Sequence, residues 1–230
     1  HKAISSKSIR RYLSSIRGFL DYLVKEEILT ENNAKKIKSP KISHSLPKTI
    51  DFDDLKRLLS VQSKSYQELK SIAMIEIMYS CGLRVSELVK LNISDMDLSE
   101  GFVRVKGKGG KMRFSPIGSD AIKAIRLYLA KRPNAETRAL FVNNNENRIS
   151  SRTVQNTVKI RALEVGISVN IHPHMLRHAA ATHFLQSSHD LRSVQEFLGH
   201  KSIKSTQVYT HLDFLELSKV YDKFHPRAKK

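Results

Sequence analysis

Residues 172–184 read HPHMLRHAAATHF, and residues 197–211 read FLGHKSIKSTQVYTH. In the first stretch His174 and Arg177 stand three residues apart. On a helix, positions i and i+3 share a face, so both side chains point at one small volume. A guanidinium fork beside an imidazole suits an oxyanion such as a phosphodiester. In the second stretch His200 stands nine residues before Tyr209. His200 adds a group that exchanges a proton near neutral pH, and Tyr209 brings the hydroxyl suited to covalent attack.

The rest of the composition fits an anionic partner. The chain has 230 residues, enough for one large domain or one domain and a fragment. Lys and Arg number 40 against 22 Asp and Glu, a formal charge of +18. Such an excess is the footprint of nucleic acid, though it is shared with non-catalytic basic proteins and says nothing of catalysis. Cys81 is the only cysteine, which excludes an intrachain disulfide and a Cys-based zinc site. No run reaches membrane-spanning length and no signal peptide is visible. A cytoplasmic setting without membrane association is therefore expected. The chain opens on His1 rather than Met, so residues upstream of it are expected as well.

Working outward, residues 8–26 carry Ile9, Leu13, Ile16, Phe19, Leu20 and Leu23 at helical spacing, which predicts a helix with one buried face. Its other face holds Arg10, Arg11 and Arg17, either solvated or turned to a phosphate backbone. Residues 39–48, with Pro40 and Pro47, read as a linker. The expected division is a helical piece at 1–44, too short to bury its own core, and a domain at 45–230. In the latter, Thr49 or Asp51 caps a first helix, a second runs to about Ser80, and a short one restarts at Arg84. Residues 101–118 (GFVRVKGKGGKMRFSPIG) alternate around GKGG and predict a hairpin with Lys106, Lys108, Lys111 and Arg113 at its tip. Helices follow over 119–131 and 151–166, and again from Pro173 to His225 with breaks near 187–190 and at Gly199. The expected class is mainly α with a small antiparallel β-sheet (α+β).

Breaking a phosphodiester takes a nucleophile, neutral balance at the non-bridging oxygens and a proton for the leaving oxygen. Arg84 and Arg177 suit the non-bridging oxygens, Lys108 the leaving 5′ oxygen, and Tyr209 the attack on phosphorus. A free tyrosine titrates near about 10 and needs a base or a cationic setting. His174 is the expected base, with His200 holding an oxygen or sharing the proton. Taken singly, each has a plainer use. A helix arginine is usually solvated or ion-paired, Glu87 can be a helix-start acid as readily as a support for His174 or Arg84, and a tyrosine is often half-buried packing. His174 and His178 have metal-ligand spacing, but no Glu, Asp or Cys lies between Ile171 and Gln186 and the HExxH pattern is absent. Metal is the weaker reading. GKGG also lacks the Walker A pattern, which argues against nucleotide binding.

The ordered set Arg84 in GLRVSEL, Lys108 in the hairpin, HxxR at 174–177, GH at 199–200 and Tyr209 resembles the tyrosine recombinase (phage integrase) family. Within it the chain is similar to the Xer-type recombinases that resolve bacterial chromosome dimers at cell division. The resemblance runs almost continuously over 45–230, while 1–44 resemble the last part of the family's helical core-binding domain. It implies a site-specific recombinase that cleaves and rejoins DNA through a 3′-phosphotyrosyl link on Tyr209, without metal, ATP or other cofactor. A non-catalytic DNA-binding module and a type IB topoisomerase-like nicking enzyme are the alternatives. The implied partners are a double-stranded recombination site, a second Xer-type recombinase in a cyclic heterotetramer, and a DNA translocase. The family's C-terminal helix docks on a neighbouring protomer, a role that would fall here to about 213–224; folding back on its own domain is the alternative. The helix from Ser151 resembles the family's major-groove helix, with Arg152, Thr153 and Gln155 as expected base-side contacts. Lys111 and Arg113 are expected on phosphates.

Overall fold

The computed structural model describes residues 4–41, 50–62, 64–107, 110, 112–133, 136–199 and 211–228, with the backbone alone for 211–216. The chain divides into two compact units, His1–Pro47 and Lys48–Lys230.

In the first unit, α1 (Ser6–Lys25) is capped by Ser5, whose hydroxyl accepts from the Ser8 N–H at 3.2 Å. A 3-10 turn follows at Asn33–Lys36. Arg17 ties this turn back to α1. Its Nε donates to the Ala34 carbonyl at 3.0 Å, Nη1 to Ser39 Oγ at 3.1 Å, and Nη2 to the Ile37 carbonyl. The buried face predicted for α1 is absent: none of its residues is buried, and Phe19 is 61% exposed. One helix and a turn offer no apolar surface large enough to cover the stripe.

The second unit is built around α3 (Tyr66–Ser80), in which every residue from Glu68 to Ser80 is buried. Packed against it are α2 (Phe52–Leu59), capped by Asp51, α5 (Ser119–Lys131), α6 (Ser151–Glu164) and α7 (Pro173–Ser188). After α3, Gly82 turns the chain with φ +56° into the single turn α4 (Val85–Leu88). A three-stranded antiparallel sheet follows in the order β1 (Met96–Asp97), β2 (Phe102–Lys106), β3 (Met112–Pro116). Its register sets Val105 opposite Arg113 and Val103 opposite Ser115. Because side chains alternate along a strand, Val103 and Val105 face inward together with Arg113 and Ser115, while Met112 and Phe114 face out. The apolar residues of β3 are thus on the solvent side and its arginine is in the interior.

After α7 come α8 (Leu191–Leu198), closed by Gly199 in the left-handed region, and α9 (His211–Phe224). The described part of α9 folds back on its own unit. Tyr221, fully buried, donates to the Ser80 carbonyl at 3.0 Å, and its oxygen lies 2.7 Å from Ser80 Oγ. His225 stacks on the Tyr221 ring at 4.3 Å, and Arg227 reaches Glu76 at 3.2 Å and Asp120 at 2.9 Å. Among the described residues no helix is long and apolar enough to cross a membrane.

Candidate active site

Among the described residues, three arginines, from the start of α4, from β3 and from α7, meet around one buried carboxylate, that of Glu87. Glu87, 4% exposed, accepts the backbone N–H of Arg84 at 2.8 Å and Arg84 Nη1 at 3.1 Å. The cap that starts α4 therefore also fixes the arginine that precedes it. Arg113 donates Nη1 to Glu87 Oε1 at 2.9 Å and Nη2 to Oε2 at 3.2 Å, a bidentate pair. Arg177 brings Nη1 within 3.8 Å of the same carboxylate.

Arg177 is itself 4% exposed and is held mainly by backbone. Its Nη1 donates to the Gly82 carbonyl, and its Nη2 donates to the Leu198 carbonyl at 2.7 Å. One side chain thereby joins the turn after α3, the helix α7 and the end of α8. Of its five N–H donors, these two are spent on carbonyls. Gly82 is tightly placed: a Cβ there would lie 2.7 Å from the Phe197 ring.

The electrostatics are unbalanced. Arg84, Arg113 and Arg177 against Glu87 give +3 and −1, a formal +2. Burial pushes the Glu87 carboxyl up, but hydrogen bonds and charge from Arg113, then Arg84 and Arg177, bring it below the ordinary 4.5. Burial lowers Arg177 to about 10, helped by repulsion from Arg84 and Arg113 and opposed by Glu87. It remains charged at neutral pH. A partly desolvated +2 cluster with Arg84 44% exposed at its edge is arranged to receive an oxyanion.

The remaining expected residues distribute as follows. His174 is exposed in the first turn of α7, one turn before Arg177. Arg152 and Gln155 are exposed on α6, whose inner face carries buried Val154 and Val158; half-buried Thr153 gives its N–H to the cap Ser150 at 3.1 Å. Arg10 is exposed on α1. Two expectations need correcting. Arg113 is not at the surface to grip phosphate: it is 6% exposed and spent on Glu87, because strand parity turns it inward. Arg17 is not a free surface cation either, since all three of its guanidinium nitrogens hold the 34–39 segment. Lys108, Lys111, His200 and Tyr209 lie outside the described residues. Among the described residues no group of three or more His, Cys, Asp or Glu is placed to hold a metal ion.

Sequence reasoning missed the carbonyls of Gly82 and Leu198 and the inward Arg113. The available signals were Gly82, two residues before Arg84, and Gly199, directly before His200; both are among the described glycines with positive φ.

Residues 48–216 match the phage integrase family. The tyrosine recombinase XerC of Psychromonas ingrahamii is 45% identical over 232 residues, covering all of this chain and 78% of that protein. The chain belongs to the phage integrase family. Solved tyrosine recombinases share its fold: XerA recombinase at 30% identity and a TM-score of 0.64, covering 97% of this chain and 84% of XerA. The XerH site-specific recombinase, bound to its palindromic difH substrate after cleavage, matches at 25% identity and a TM-score of 0.66, covering 95% and 72%. As a phage integrase family member the chain is a tyrosine site-specific recombinase, and its mainly helical unit with a three-stranded sheet is the architecture of that family's catalytic domains.

Proposed function

We propose that this recombinase cuts and rejoins double-stranded DNA at a specific site, with Tyr209 as nucleophile. The Tyr209 oxygen bonds to phosphorus as the bond from phosphorus to the 5′ oxygen breaks. His174 takes the phenol proton, Lys108 gives one to the leaving 5′ oxygen, and Arg84 and Arg177 neutralise the non-bridging oxygens. His200 shares the oxygen contacts, and Glu87 orients the arginines. The phosphotyrosyl link keeps the bond energy, so an incoming 5′ hydroxyl reverses the step. The observation that carries this is the formal +2 held around Glu87, with Arg177 fixed by two backbone carbonyls.

The XerC relatives and the XerH complex with its DNA support a double-stranded recombination site as substrate. The same likeness supports resolution of chromosome dimers in the cytoplasm, with a second Xer-type recombinase in a cyclic heterotetramer and a DNA translocase as partners. Arg10, Lys111, Arg152, Thr153 and Gln155 are the proposed DNA contacts. Residues 1–44 are proposed as the last part of a core-binding domain, and 45–230 as the catalytic domain. The test is a nicked suicide duplex carrying the recombination site of an XerC relative. Wild type should leave a slow-migrating covalent adduct on a denaturing gel, and Tyr209→Phe none. An equal adduct from Tyr209→Phe removes Tyr209 as nucleophile.

A further inference from the structure

We propose that Arg113 is a positioning residue for strand cleavage: it locks Glu87, and through it Arg84 and Arg177, to the sheet and to the end of α8. The proposal rests on the site described under Proposed function. It starts from an oddity of β3, whose inward position is taken by a guanidinium while Met112 and Phe114 face solvent. A buried arginine is costly unless its donors are met. Here both terminal nitrogens are satisfied by the two oxygens of one carboxylate.

Three connections make this more than a stability pair. First, Glu87 is the common acceptor of Arg84 and Arg113 and the nearest carboxylate to Arg177, so moving Arg113 moves the group that aims Arg84. Second, Gly199 lies against the Arg113 side chain: a Cβ on Gly199 would sit 2.7 Å from Arg113 Cδ and 3.0 Å from Nε. Gly199 immediately precedes His200 in the chain and directly follows Leu198, whose carbonyl holds Arg177. Third, Arg113 stands on the strand paired with β2, directly across from Val105 and one residue from the Lys106–Met112 pair that closes the ladder toward Lys108. Arg113 is therefore where the hairpin, the arginine cluster and the approach to His200 are tied together.

Among the described residues the charges facing Glu87 are Arg84 from the start of α4, Arg113 from β3 and Arg177 from α7. Burial favours the protonated carboxyl, and Arg113 is the foremost influence against it. Without Arg113, Glu87 takes up a proton at a higher pH, and the neutral carboxyl holds Arg84 more weakly. Positioning and pH dependence are then linked through one contact.

The experiment is single-turnover cleavage of the nicked suicide duplex, from mildly acid to mildly alkaline pH, with binding to the same duplex and thermal unfolding measured in parallel. Arg113→Met is expected to bind like wild type and to cleave roughly 10- to 100-fold more slowly, with an added loss toward acid pH that wild type lacks. Arg113→Lys should recover part of the rate and shift the acid loss downward. Arg113→Met combined with Glu87→Gln should remove the acid loss, because no carboxylate is left to titrate. Wild-type rate and pH profile in Arg113→Met overturn the proposal. A rate lowered equally at every pH, in step with the folded fraction, overturns it as well. If Arg113→Met does not fold, Arg113→Lys decides alone: a wild-type profile in it refutes the role. Tyr209→Phe is run beside them, and an adduct from that variant would count against the catalytic site itself rather than against Arg113.

Discussion

Arg113 sets one guanidinium nitrogen against each carboxylate oxygen of Glu87, at 2.9 and 3.2 Å, with both side chains almost fully buried. Breaking such a pair from one side leaves the other charge without a partner, a loss of about 3–5 kcal/mol. Glu87→Ala should cost that much, since it leaves Arg113 and Arg177 buried together. Glu87→Gln should cost less, because the amide oxygen still accepts one N–H. The pH sign is fixed by the depressed carboxyl. Its stabilisation is fully present above the ordinary 4.5 and is lost as pH falls through its lower folded value. Urea unfolding at neutral pH and again in this acid range measures both effects; equal acid sensitivity of wild type and Glu87→Gln would refute the second.

His225 gives a pH effect over a different range. It is 4% exposed among Tyr79, Phe184, Phe197 and Tyr221, with Arg227 and His183 as the cationic groups that act on it. Burial, then those two groups, lowers it to about 3. The unfolded chain binds a proton below the ordinary 6.5 that the folded one refuses, so stability falls as pH drops from 6.5 toward 3. His225→Phe should remove that dependence. At neutral pH it loses only the hydrogen bond from the Arg227 N–H, about 1 kcal/mol. Between neutral pH and about pH 5 the difference from wild type should move by about 2 kcal/mol in its favour, leaving the variant about 1 kcal/mol the more stable at about pH 5. Glu76, raised to about 7 mainly by burial, acts in the other direction, its contribution being lost as pH rises through that value. Only the difference between His225→Phe and wild type therefore isolates the histidine.

Much of this was legible in the chain. The helices, the hairpin and the positions of Arg84 and Arg177 follow from apolar spacing and from residues at turns, and Asp51 takes the cap expected of it. The interior of the site was not legible, for a physical reason. A strand has two faces, and KMRFSP reads most simply with Met112 and Phe114 inward; the opposite parity is chosen by a carboxylate at Glu87, distant in sequence, that needs a bidentate partner. Arg17 illustrates the same limit. Its helical position is the same whether it meets phosphate or three acceptors between Ala34 and Ser39, and only the return of the chain decides.

That difference separates two arginines of α1 by experiment. Arg10 is exposed, with no ion-pair partner among the described residues, so Arg10→Ala should weaken DNA binding and reduce the slope of log affinity against log salt by about 1. Arg17→Ala should instead free the 34–39 segment, which limited proteolysis reads directly, and should cost about 1.5–3 kcal/mol for the charged hydrogen bonds lost. If Arg17→Ala changes only the salt slope and leaves the cleavage pattern of this segment untouched, its assignment as a tie is wrong.

The exposed face of α6 is the place to look for sequence discrimination. Val154 and Val158 fix the helix by its buried side, and the Ser150 cap fixes its start, so Arg152 and Gln155 project from a rigid support. Bidentate contact from arginine to guanine, or from glutamine to adenine, is worth about 1–3 kcal/mol of discrimination. Arg152→Ala should therefore bind the cognate duplex more weakly while binding a duplex changed at one base pair as before. Lys159, exposed about two turns beyond Arg152 on α6, serves as the control: a phosphate contact there would weaken both duplexes alike when lost. Competition binding at fixed salt, scanning each base pair of the half-site, distinguishes the two patterns. A uniform loss in Arg152→Ala across all substituted sites would move it from base recognition to backbone contact.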